Sequence, residues 1–114
     1  MGSVAYGTAV LDLSLKAETD LSEKQYYWME LAGDDQVDVC DGAGDKPVGI
    51  LQNKPTEGKT AVVRVLGVSK MVASAALTAG ANVGTDAAGK GVTKASDNEI
   101  VGGYVLSGAD TAGD

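Results

Sequence analysis

Histidine and phenylalanine are absent from this 114-residue chain, cysteine occurs once, proline twice, and aromatic residues make up 4% of it. Each scarcity excludes something. Without histidine there is no Ser-His-Asp triad, no Cys-His dyad and none of the usual zinc or iron ligand sets. The lone Cys40 cannot close an intramolecular disulfide, so stability has to come from packing or assembly, and a small buried apolar role is expected for it. Nine basic residues, scattered singly, stand against 16 acidic ones, for a net charge of −7. Nucleic acid and anionic membranes need a basic face to release counterions, so neither is an expected partner. No apolar run approaches the roughly 18 residues of a membrane span, and the first lysine is Lys16, so neither a span nor an export signal is read. Met1-Gly2 does not make a myristoylation signal, because Tyr6 stands where Ser or Thr is required.

What is abundant is glycine, 16 residues, together with Val, Leu, Ile and Ala. Glycine supplies positive-φ turn positions and β-branched residues fill pleated surfaces, so the composition predicts short strands joined by tight turns in one all-β domain with one modest core. Leu11, Leu13 and Leu15 alternate with Asp12, Ser14 and Lys16, the period of a half-buried strand. Residues 26–31 and 37–40 flank a polar turn at 33–36 and predict a hairpin. Pro47 marks the start of a short strand over 48–51, and residues 60–68 form the longest β-branched run, expected at the centre of a sheet or barrel. Residues 71–79 favour strand or loop over helix. Residues 83–95 read as a second, Gly-tipped hairpin, and 100–106 as a closing strand.

These segments describe one β-rich unit met twice. Leu21-Ser22-Glu23-Lys24, the first hairpin and Val48-Gly49-Ile50-Leu51 have counterparts in Leu77-Thr78-Ala79-Gly80, the second hairpin and the run ending Gly103-Tyr104-Val105-Leu106. The first copy continues into residues 60–66 and the second has no equivalent, which predicts an open seam or completion by another chain. The expected organisation is an arm with the first strand over residues 1–20 and a barrel body over 21–114. The leucine strand, with unpaired backbone groups at its edge, is expected to be an assembly element.

Motifs that chemistry could use are weak. Residues 53–60 have the outline of a P-loop, but Asn53 replaces the first glycine, Pro55 sits inside, and a β-branched run follows where a helix N-terminus is needed. Residues 84–91 have the same spacing, with Gly91 in place of the Mg²⁺-binding hydroxyl. Asp34, Asp35, Asp38, Asp41 and Asp45 cluster without EF-hand spacing, and a solvated acidic edge explains them as well as a cation does. No metal, cofactor or catalytic residue is assigned. Ser69-Lys70-Met71 has features of biotin- and lipoyl-carrier domains, which would make Lys70 a modified residue, yet Ser69 matches neither the Met nor the acidic residue those carriers place there. Tyr26, Tyr27 and Trp28 put aromatic surface on both faces of one strand, as a strand buried on both sides or as an anchor for a partner.

A resemblance organises these readings. Asp20 to Tyr27, Gly44 to Pro55, Gly67-Val68-Ser69-Lys70 and Leu77-Thr78-Ala79-Gly80 together resemble the small capsid-cement, or head-decoration, proteins of tailed bacteriophages, over roughly residues 10–114. The resemblance implies a non-enzymatic virion protein on the outer capsid surface. It implies a small β-barrel or β-tulip body, often a homotrimer, that clamps neighbouring major capsid proteins with help from an N-terminal arm. Val4, Tyr6, Leu11, Leu13, Leu15, Tyr27 and Trp28 are the candidate interface residues.

Overall fold

A computed structural model describes residues 10–42, 45–94 and 103–104. Among them there is no helix. Five strands, β1 (Leu11–Ala17), β2 (Trp28–Gly33), β3 (Gln36–Val39), β4 (Gly49–Leu51) and β5 (Thr60–Leu66), close a barrel in the order β1-β3-β2-β4-β5. Three more, β6 (Asn82–Thr85), β7 (Gly91–Thr93) and β8 (Gly103–Tyr104), form a sheet in the order β7-β6-β8.

Both predicted hairpins form, and their turns show why. In the first, Asp35 takes φ +58°. In the second, Gly89 takes φ +81°, and the Asp86 carboxylate accepts from the backbone N–H groups of Ala88 and Lys90. An Asx-type cap of this kind fixes a turn from its own sequence. The aromatic segment differs from expectation at its start. Tyr26 sits at φ +70°, in the left-handed region, and the strand begins only at Trp28.

The repeat is carried by register. Met29 pairs with Val39 and Gly49; Val83 pairs with Thr93 and Gly103. Leu31 faces Val37 as Thr85 faces Gly91, and Trp28 faces Ile50 as Asn82 faces Tyr104. The parallel pair Ala17 with Val37 recurs as the single bridge Ala73 with Gly91. Even the left-handed positions correspond, Asp35 to Gly89 and Tyr26 to Gly80.

Two apolar clusters follow. Ala17, Leu21, Met29, Val37, Leu51, Ala61 and Val63 fill the barrel. Trp28, Cys40 and Ile50, which face outward from that barrel, join Ala73, Leu77 and Val83 from the second unit. Inner residues of the second unit therefore pack on the outer wall of the first, each buried aliphatic side chain contributing about 2 kcal/mol. The hairpin tip is seated there too: Trp28 N–H donates to the Gly89 carbonyl at 2.8 Å, and a Cβ at Gly89 would collide with the Val39 side chain. Cys40 is fully buried, as its sequence context predicts.

The first strand has partners in its own chain. It is a stave of the barrel, paired antiparallel with β5 along its length and parallel with β3 at Lys16 and Ala17. A strand expected to find its partners in another chain finds them first in its own. Among the described residues no strand lies beyond β8 in the place that β5 takes beyond β4, and the stretch on which the predicted seam would fall lies outside the described residues.

Candidate assembly surface

β1 and β5 run past the rim of the barrel as a two-stranded ribbon. Leucines on one side of β1 emerge gradually: Leu15 packs against the barrel core, Leu13 is 37% exposed and Leu11 49%. Opposite them Leu66, which pairs with Leu11 across a bulge, is 63% exposed, and Val68 and Val10 at the strand ends are also open to solvent. On the other side Arg64 holds both carboxylate oxygens of Asp12, at 2.9 and 3.2 Å, and donates to the Val68 carbonyl. The guanidinium keeps the Asp12 carboxyl below its ordinary range through that hydrogen bond. The strip is thus apolar, with its one acid already paired.

The other candidate residues divide. Trp28 is buried between the two units, and its indole N–H meets no acceptor among the described residues. Tyr27 packs against the barrel core, with the Lys24 ammonium 4.9 Å from its ring centre. Val4 and Tyr6 lie outside the described residues. The structure therefore brings Leu11 and Leu13 together with Leu66, and leaves Val68 exposed just beyond β5; sequence reasoning selected neither Leu66 nor Val68. Leu66 was legible only as the apolar end of the β5 run; its exposure depends on where the barrel rim falls.

Loops that resembled ligand sites are filled by their own side chains. Asn53 donates to the Thr60 carbonyl and accepts from Val62 N–H, clamping the 53–60 connection ahead of a strand. In the 84–91 turn Asp86 takes the donors a phosphate would need. Lys70 lies in the connection between β5 and β6, 5.7 Å from the Tyr26 ring, and not at a hairpin tip where carrier domains present their lysine.

Of the predicted carboxylates, Asp34 and Asp35 are exposed in the turn, Asp38 accepts from the Thr19 hydroxyl, and Asp45 accepts from the N–H groups of Asp41 and Gly42. Glu30, overlooked in the sequence, joins Asp45 beside Cys40, with ligating atoms within 4.8 Å of one another. Alternation along β2 puts Glu30 on the same face as Trp28, which is the signal that could have found it. Burial first, and then Asp45, pushes the Glu30 carboxyl up to about 7. Burial pushes the Cys40 thiol up to about 12, so it remains protonated and unreactive at neutral pH.

The described residues leave open the edge of β1, with a shallow groove of about 460 Å³ beside Ser14, Lys16, Asp35 and Lys59, and an open edge is a template for pairing with another chain. A family described as phage cement protein matches residues 4–114, and the chain belongs to that family. It is a structural protein of the virion that binds the outer surface of the capsid. The crystal structure of the head fiber gp8.5 N base of bacteriophage phi29 has the same fold, with a TM-score of 0.66 at 17% identity, over 91% of this chain and 88% of that one. No curated protein matches the chain.

Proposed function

We propose that the protein cements the expanded head by clamping neighbouring major capsid proteins, without catalytic activity, and that it assembles as a homotrimer. The observation that carries this reading is the apolar strip of Val10, Leu11, Leu13, Leu66 and Val68 on an otherwise acidic, loop-sealed body. An exposed strip of this kind is an aggregation hazard unless a partner covers it. Val4 and Tyr6, which precede the strip in the sequence, are read as further contact residues. A shell is strengthened by such contacts because many copies, each bound weakly, act together.

Empty expanded heads incubated with wild-type protein and with Leu13→Asp test the reading, by occupancy in reconstructions and by resistance to heat. Leu13 is partly exposed at the rim, so the variant should fold; its charge should lower occupancy and remove heat protection. Full occupancy and protection with Leu13→Asp would reject the strip as the contact surface.

A further inference from the structure

Of the six large apolar residues exposed among the described residues, all but Leu31 lie at one end of the β1–β5 ribbon. β3 covers the outer edge of β1 only at Lys16 and Ala17, where Lys16 N–H donates to the Asp35 carbonyl. In an antiparallel ribbon alternate residues turn their backbone groups to opposite sides, so Asp12 and Ser14 point theirs the same way as Lys16. No described strand meets them there. The edge is thus apolar on one side, open in its hydrogen bonds, and short.

We propose that this edge pairs with the same edge of a second copy, antiparallel, about a twofold axis through Leu13. The register follows from where the edge is free: β1 begins at Leu11 and the edge is blocked from Lys16 onward, so the longest ladder two copies can share runs from Leu11 to Leu15 and is centred on Leu13. A pairing centred on Ser14 would set the second copy's Asp12 against Lys16, whose N–H is taken by Asp35 and whose flank is occupied by Gln36. A pairing centred on Asp12 would set two aspartates directly opposite, which is destabilising. Centred on Leu13, Asp12 and Ser14 exchange backbone hydrogen bonds reciprocally, the serine hydroxyl faces the carboxylate, and Lys16 lies diagonal to Asp12. Arg64 of the same copy also pairs with each Asp12. The leucines of both ribbons form one continuous apolar face, wider than either copy presents alone. The contact rests on the capsid-binding reading only for its purpose: a twofold contact links assemblies across the shell, whereas a threefold contact builds them.

Cysteine substitution reads the register in the free protein. Leu13 faces its own symmetry mate at a non-hydrogen-bonded position, where Cα atoms stand about 4.5 Å apart and a disulfide can close. Leu13→Cys should give a covalent dimer on mild oxidation. Leu11→Cys and Leu15→Cys should each fail alone and crosslink when mixed, since those positions face each other; buried Cys40 stays out of the exchange. Ser14→Pro removes an N–H from the open edge without touching the β5 ladder, and should weaken self-association about tenfold in sedimentation with an unchanged melting temperature. Absence of the Leu13→Cys dimer, or Leu11→Cys crosslinking alone as readily, would overturn the pairing. So would a Ser14→Pro variant that associates normally yet decorates heads poorly, because the edge would then belong to the shell protein. Loss of pairing with normal decoration of heads leaves cementing intact, so the two readings fail separately.

Discussion

Gly49 and Gly103 occupy the same rung of the repeated unit, one beside Met29 and the other beside Val83, yet their surroundings differ. Above Gly49 runs β5: a Cβ there would overlap the Arg64 carbonyl oxygen and come within 2.9 Å of Val63 Cγ1. At Gly103 a Cβ meets nothing among the described residues. The first unit is sealed by two strands of its own, β1 and β5, and builds an interior. Among the described residues the second has neither in full, only the bridge at Ala73 where β1 would be, and it borrows the outer wall of the first as its floor. One strand plan can thus give a closed barrel or a dependent sheet, according to what covers its inner face.

The comparison is sharpest at the paired leucines. Leu21→Ala removes a side chain 1% exposed inside the closed barrel and should cost about 4 kcal/mol, while Leu77→Ala, 8% exposed under the second sheet, should cost about 2 kcal/mol. Urea unfolding gives both values, and equal costs would mean that the two units are equally well packed. Gly49→Ala should destabilise by about 3 kcal/mol because backbone must shift, whereas Gly103→Ala should stay within about 0.5 kcal/mol. Thermal melts of the two variants decide this, and a large loss at Gly103 would show that β8 is covered as β4 is.

A smaller difference concerns charge. Glu30 in the first unit corresponds to Gly84 in the second. Folded Glu30 keeps its proton up to about 7, while the unfolded chain releases it near 4.5, so the folded state binds more protons between those values. Stability contributed by the protonated carboxyl is complete below that window and lost as pH rises through it. Asp45, held low chiefly by the Glu30 hydrogen bond, acts in the opposite sense only at more acidic pH. With solvent screening of a partly exposed group, unfolding titrations should show a decline of about 1 kcal/mol across the window, flattened in Glu30→Gln. The smallest effect is expected at the turns. Asp35→Gly, which gives the first hairpin the residue type that Gly89 supplies in the second, should raise stability by about 0.5 kcal/mol in the same unfolding assay.

The sequence alone determined the all-β class, both hairpins, the burial of Cys40 and the repetition itself, because turn chemistry and period-two alternation act between residues close along the chain. Asp86 caps its own turn, and Gly89 supplies its own left-handed step. The leucine alternation of β1 was equally plain, but its partners were not. That β1 seals the barrel between β3 and β5, that Trp28 on the outer wall is covered by the second unit, and that Glu30 comes to lie beside Asp45 are matters of residues far apart in sequence. The same holds for the candidate surface: alternation named Leu11 and Leu13, while Leu66 and Val68 joined them only because the barrel rim ends below the tip of the ribbon. A strand's two faces can be read from its own residues; which face is buried, and how far along, is decided by what packs against it.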